Sequence, residues 1–571
     1  AQARYRAGIR ARWSVTRVIG NRALSGWRVF VLSVLVLSVL MGASGTGNRA
    51  ALAAAPVARV DAWPPFVIGA SYEGPATRSF RGDYWAWWAS DLFDPQLVDA
   101  DFARASGAGL NALRVFVQLE LLRQIRENNW SELDTVLDLA DRHGLRLILT
   151  LADYDEPRVA QLARIDGAIA ARYAGRQTIL AYDLKNEPTV WMLQTAIYPD
   201  NQKPPLLSRT LIDHYGEQSA NFYIVAYRAS DEGKHGPLAI PDRFSEEEAY
   251  VYHNNWILSY HLSLEATAWA KETGRTDIEY LSTPQAAFWR PLLEVLDATY
   301  QAWIGPRITA IRNADPGAVI TVGQHDPLVA SLPANQQLDV ITLHRYVPAG
   351  PDGLADQRRQ LAALRALYPD KPMVLGEFGH RATEIGDEAA AIDETATWLH
   401  LLSDGYAGGL KWMLNDTRDG TDTMGLFRMD GSARPAAQAA TLISRMALAA
   451  DRSAPATLTV GSSSAGGTCY RFTRGELLAL GGRCGGDGGV GDAALELADD
   501  GRQLFARRGA DGYDLGVTGP TKLLFRGVTD GPARWTLALD GTTVGTLQPS
   551  RAHPATLELE PGRSYRLSPS P

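Results

Sequence analysis

The sequence predicts an α/β protein, a (β/α)8 barrel followed by an all-β, sandwich-like accessory domain. Three observations predict it. Between residues 61 and 449 short apolar runs alternate with longer, one-sided amphipathic stretches. Eight apolar runs occur there, the strand count of a closed β/α barrel. Beyond residue 450 the pattern changes to short alternating runs broken by glycine turns.

The first 60 residues stand apart. Arginines Arg4, Arg6, Arg10, Arg12, Arg17, Arg22 and Arg28 precede an apolar run over 29–43, and no acidic residue occurs before Asp61. The run is too short for a comfortable membrane span and suits the apolar region of a signal peptide. The small residues around 51–56 supply a cleavage site. An uncleaved membrane anchor is the rival reading. Both send the rest of the chain across a membrane, to a secreted or extracytoplasmic location.

The eight expected strands are 66–71, 111–117, 145–152, 179–184, 318–323, 339–344, 372–378 and 408–414. Their nearly unbroken apolar character suits strands covered by helices on one side and a filled barrel on the other. In the helix beginning at Ser131, Leu133, Val136, Leu137 and Ala140 repeat at helical spacing. Ser131 with Asp134 resembles a capping box, and Gly144 ends the helix. Another one-sided stretch, DQRRQLAALRALYPD, precedes the seventh strand. An open doubly wound sheet is the structural rival, but no glycine-rich fingerprint follows the first strand.

One interval breaks the rhythm. Residues 190–285 exceed what a plain β/α unit needs, and they leave the barrel directly after Glu187. Loops at that face build substrate sites, so the excess reads as a lid or cleft wall, or else as a peripheral insertion. The small-residue stretch DRSAPATLTVGSSSAGG reads as a linker into the domain at 450–571. There Trp535, Leu537 and Leu539 alternate before an Asp540-Gly541 hairpin signal. This domain binds carbohydrate or packs on the barrel, with the balance toward a structural accessory. Its cysteines, Cys469 and Cys484, are the only two in the chain and suit a single disulfide.

A net charge of −8 argues against a nucleic-acid partner. The 15 tryptophans and 21 tyrosines offer flat faces for sugar rings, although most aromatics serve a core equally well.

The strongest chemical signals are AYDLKNEP, ending the fourth strand at Asn186, Glu187 and Pro188, and VLGEFGH, ending the seventh at Glu377. Acids at the C-terminal ends of barrel strands point into the site, and burying two there is costly without a task. Glycosidic cleavage needs such a pair, one to protonate the departing oxygen and one to attack the anomeric carbon. The barrel portion resembles the clan A glycoside hydrolases, and within them family 5, the cellulase and mannanase family. The resemblance implies a retaining β-glycosidase with Glu187 as acid/base, Asn186 bonding the sugar 2-hydroxyl and Glu377 as nucleophile. It further implies Arg114 beside the nucleophile, His344 and Tyr346 near both carboxylates, and Trp412 as the floor of a subsite.

Bland readings stand beside these: an ion pair for Arg114, a core imidazole for His344, a filler of the barrel for Trp412. The third strand ends at Asp153 and Tyr154, where many family members place a histidine, so substrate contact passes to one of these two. Near the first strand Glu73 and the aromatic cluster containing Trp85 and Trp88 line a sugar subsite or plug the loop. The expected partner is a carbohydrate. No cofactor or metal is expected, since His344 and His380 lack companion ligands in the sequence. Competing functions are a transglycosylase using the same residues and a carbohydrate-binding pseudoenzyme.

Overall fold

Eight parallel strands pair in chain order, and the eighth pairs back onto the first, closing a barrel. The computed structural model describes residues 63–75, 86–117, 119–151, 159–188, 290–416, 423–451, 453–463, 466–484, 488–490, 493–527 and 533–570. The N-terminal segment 1–60 and the insertion 190–285 lie outside the described residues. The barrel strands are β1 (Val67–Tyr72), β2 (Ala112–Phe116), β3 (Arg146–Thr150), β4 (Ile179–Asn186), β5 (Ile320–Gln324), β6 (Ile341–His344), β7 (Met373–Phe378) and β8 (Gly408–Lys411). Each overlaps an expected apolar run. Among the described residues the α-helices of eight residues or more are α1 (Pro95–Gly107), α2 (Leu119–Arg126), α3 (Ser131–Arg142), α4 (Val159–Arg172), α5 (Arg290–Ala314), α6 (Pro351–Leu367), α7 (Asp387–Ser403) and α8 (Pro435–Leu442).

The two ends of the barrel differ chemically. Val67, Ala112, Val319, Val340 and Val374 form a dry plug at the N-terminal end, with Trp63 packed beneath it. Toward the C-terminal end the interior turns polar, with buried Arg114, Thr150, Asp183, His344 and Glu377. A layer of apolar side chains thus floors a charged chamber.

Helices α4 and α5 flank β4 and are joined by an ion pair. Arg307 Nε donates to Asp166 Oδ2 at 2.6 Å, and both side chains are fully buried. Arg307 Nη1 also donates to the carbonyl of Leu184, at 2.6 Å, three residues before Glu187. The backbone carrying Glu187 is therefore held from outside the barrel.

The start of α3 corrects the expected capping box. Trp130 is the N-cap, and no side chain caps the helix. Ser131 instead bonds the side chain of Asn129, its N–H and hydroxyl both donating to Oδ1. Gly144 follows the helix with φ +67°, as a stop signal requires.

After the barrel come an eight-stranded and a four-stranded antiparallel sheet. The expected linker contains the edge strand β9 (Ala456–Ser462), paired along its length with β10 (Thr468–Arg474). Strand β11 (Leu477–Gly481) shows how the larger sheet is used. Leu477 and Ala479 join the core of the barrel helices, whereas Leu478 and Leu480 join the core shared with the smaller sheet. Alternate residues thus meet apolar partners on opposite faces, which removes the polar half of the usual alternation. Glu388 of α7 and Arg502 pair across this contact at 2.7 Å. Cys469 and Cys484 form a disulfide.

Candidate active site

The polar chamber is assembled from the ends of several strands. Arg114 projects from β2 and is 1% exposed. Its Nη1 donates to Glu377 Oε1 at 2.5 Å, its Nη2 to Asn186 Oδ1 at 2.9 Å, and its Nε and Nη2 to Asp183 Oδ2 at 3.0 and 2.7 Å. Tyr346, beyond β6, donates its hydroxyl to Glu377 Oε2 at 2.6 Å. His344 sits between the two glutamates, its Nδ1 lying 3.1 Å from Glu187 Oε1 and 3.3 Å from Glu377 Oε1. Glu187, His344 and Glu377 each bring one side-chain atom within 4.8 Å of the others.

Two glycines make room for the imidazole. A Cβ on Gly323 would meet His344 Nε2 at 2.7 Å and Arg114 Nη2 at 3.0 Å. One on Gly376 would meet Thr342 Cγ2 at 2.2 Å and His344 Cδ2 at 2.8 Å. Small residues in β5 and β7 are thus a condition of the site, not a weakness of the strands. Glu187 itself has φ +54°, a conformation costly for a non-glycine residue, held in part by its N–H donating to Gly323 O at 2.8 Å.

Burial works against the charge of both glutamates. For Glu187 the combined pull of His344, His325 and Arg114 outweighs burial and holds the acid at about 2. For Glu377 burial and the charge of Glu187 outweigh His344, Arg114 and Tyr346 and push it up. The two titrate as a pair, with one step low and one raised, and between the steps they carry a single proton. Burial opposes the charge of Arg114, but Asp183 and Glu377 overcome it and hold the guanidinium protonated.

The spacing of Glu187, His344 and Glu377 is one that a metal ion can use. The surroundings argue otherwise. Glu377 already accepts from a guanidinium and a phenol, and a divalent cation placed there would face Arg114 directly.

Of the expected site residues, Arg114, Asn186, Glu187, His344, Tyr346 and Glu377 come together. Trp412 follows β8 at the same end, half-buried, with its ring edge-on to Phe116 at 6.3 Å. The Arg114 guanidinium covers that same Phe116 ring at 4.5 Å. Glu73 follows β1 at this end and is buried. Asp153, Tyr154 and Trp85 lie outside the described residues. Trp88 is a correction. It is fully buried, stacked on Trp87 at 3.8 Å, with Nε1 donating to Phe116 O, so it is a plug and not a sugar platform.

Sequence reasoning missed Asp183, Thr150 and His325. Asp183 was in view inside AYDLKNEP, four residues before Glu187 on an inward-facing position, but the run reads as apolar. His325 stands directly after β5 with Nδ1 3.6 Å from Glu187 Oε1. A strand-end histidine was the available signal.

No protein-family model matches the chain, and no curated protein matches it. Several solved structures resemble it. A calcium-binding mutant of Bacteroides uniformis beta-glucuronidase 2 is 12% identical, covering 87% of this chain and 42% of its own, with a TM-score of 0.41. The exo-beta-1,4-mannosidase Op5Man5 from Opitutaceae bacterium strain TAV5 is 16% identical over 66% of this chain and 59% of its own, with a TM-score of 0.39. GH5_18 from Streptomyces cattleya, solved with GlcNAc, is 16% identical over 67% of this chain and 80% of its own, with a TM-score of 0.41. The chain therefore spans less than two thirds of the first two of these structures.

Proposed function

We propose that the chain is a retaining β-glycosidase. The observation that carries this reading is the carboxylate pair at the ends of β4 and β7. An oxygen of Glu187 and an oxygen of Glu377 lie within 4.8 Å of each other, with Arg114 and Tyr346 both donating to Glu377. Retaining enzymes hold their carboxyls about 5–5.5 Å apart, whereas inverting enzymes leave about 6.5–9.5 Å for a water.

Roles follow from the donors. Glu377 accepts from a phenol and from a guanidinium that is charged at every working pH. The partners of Glu187 are imidazoles, charged only if protonated. The low value of Glu187 draws mainly on the bond and positive charge of His344 and the charge of His325. With those imidazoles neutral most of that pull is gone, while Arg114 and Tyr346 still hold the charge on Glu377, so the one proton of the pair resides on Glu187. Glu377 attacks the anomeric carbon as Glu187 passes its proton to the departing glycosidic oxygen, leaving a glycosyl ester on Glu377 and a carboxylate on Glu187. That carboxylate then deprotonates a water, whose oxygen attacks the same carbon. The ester bond breaks, the sugar leaves with its original configuration, and Glu187 is protonated again. The motif resemblance to family 5 supports the same assignment. The substrate on this reading is a β-linked oligo- or polysaccharide met outside the cytoplasm, with the N-terminal segment directing export.

Aryl β-glycosides and β-glycans presented to the wild type and to Glu377→Gln test the proposal. Turnover by the wild type alone, and a mass increase of one glycosyl unit on Glu377 with a 2-deoxy-2-fluoro glycoside, are expected. Turnover by Glu377→Gln at the wild-type rate would overturn it. Product analysis with an added sugar acceptor separates hydrolysis from transfer. Binding without turnover would point to the pseudoenzyme.

A further inference from the structure

We infer that Asp183 is a positioning residue for the proposed reaction, acting through Arg114 to fix both Glu377 and the amide of Asn186. The inference rests on the β-glycosidase reading for its consequence and on geometry alone for its mechanism. Asp183 is 1% exposed and bonded on both oxygens. Oδ2 accepts from Arg114 Nε, Arg114 Nη2 and Thr150 Oγ1, the last at 2.9 Å. Oδ1 accepts from the N–H groups of Gly323, at 2.8 Å, and Lys185, at 3.3 Å. One carboxylate thus ties β2, β3, β4 and β5 together beneath the reacting pair.

Every partner of Asp183 is a donor, so only a group that accepts on both sides fits. The consequence reaches Asn186. Guanidinium has no acceptor, so the Asn186 atom 2.9 Å from Arg114 Nη2 is the amide oxygen. The amide nitrogen then faces away from Arg114, and Asn186 meets a sugar as a donor. Arg114 reaches Asn186 through the same Nη2 that Asp183 holds, and Glu377 through the remaining nitrogen. If the hold on Nη2 is lost, both contacts loosen.

Asp183→Asn keeps the shape but must turn an NH2 group toward donors, on one side or the other. Two measurements test the inference. The first compares kcat/KM for 4-nitrophenyl β-D-glucoside and β-D-mannoside with that for the 2-deoxy-β-D-arabino-hexoside, the 2-deoxy counterpart of both. A ratio is insensitive to the fraction of folded enzyme. A purely structural role would lower all rates together and leave it unchanged. We expect Asp183→Asn to lower the preference for the 2-hydroxyl about tenfold, toward the value of Asn186→Ala, and Thr150→Val to lower it less. An unchanged ratio overturns the inference. The second is the crystal structure of Asp183→Asn without ligand. Displacement of the guanidinium from Glu377 and Asn186 supports the inference, and an unmoved guanidinium overturns it. Should the wild type cleave none of the three glycosides, the proposed function loses support, while the crystal structure still decides the role of Asp183.

Discussion

Arg114 Nη1 donates to Glu377 Oε1 at 2.5 Å across a sequence separation of 263 residues. The same guanidinium also bonds Asp183 and Asn186, so one fully buried cation serves three acceptors in fixed directions. A planar fork can do this and a point charge cannot. Arg114→Lys should therefore lower kcat/KM by about 10²–10³-fold, the cost of losing a preorganised charge contact. Steady-state kinetics beside a thermal melt would check it. A loss below about threefold would mean that charge alone suffices.

The pH profile should carry the signature of the pair. The proposed reactive form has Glu377 ionised and one proton on Glu187, so activity falls on the acid side as Glu377 takes up a proton and on the alkaline side as Glu187 loses its own. The bond from Tyr346 favours the ionised form of Glu377 and opposes the upward displacement that burial gives that residue. In Tyr346→Phe the displacement grows, Glu377 takes up its proton at higher pH, and the acid limb of kcat/KM should move to higher pH. A limb that stays in place or moves to lower pH would contradict the coupling.

Gly323→Ala places a methyl 2.7 Å from His344 Nε2 and 3.0 Å from Arg114 Nη2, and both side chains are buried. We expect a loss of about 1–3 kcal/mol in stability from overpacking, with a fall in activity. Gly107→Ala is the contrast. It lies at the end of α1 with nothing within 4 Å of the new Cβ, so stability should hold or rise by up to about 1 kcal/mol. Chemical denaturation of the two variants measures the difference.

The buried pair Arg307–Asp166 should behave asymmetrically. Arg307→Met takes the guanidinium away from a fully buried carboxylate, at a cost of about 3–5 kcal/mol. Adding Asp166→Leu removes that buried charge and should recover most of that loss. A double variant no more stable than the single would show that the pair does more than cancel its own charge.

Much of this molecule was legible as a string of residues. The eight strands were, because each is a short apolar run whose flanking turns are local. The identities of Glu187, Glu377, Arg114, His344 and Tyr346 were, because parallel strands in a barrel bring their C-terminal ends to one place whatever lies between them. Less local features were not. β9 lies in a stretch dominated by small residues, so the stretch reads as a linker, and only the pairing of β9 with β10 marks the strand. Ser131 and Asp134 have the letters of a capping box, yet the helix begins at Ser131 itself and its hydroxyl goes to Asn129.

Sequence alone determined the chemistry available to this protein: two glutamates, an arginine, a histidine and a tyrosine at the ends of strands, and an alternation that closes into a barrel. Tertiary structure decided which of them touch. Strand register brings Asp183 under Arg114 although 69 residues separate them, and it sets Gly323 where His344 needs space. It also turns Trp88 inward onto Trp87 and the carbonyl of Phe116. Periodicity and strand-end position are properties of a single segment, whereas a hydrogen bond between distant segments depends on the register of every strand between them. That is why the two glutamates were visible before the fold, and the carboxylate that holds the neighbouring arginine only afterwards.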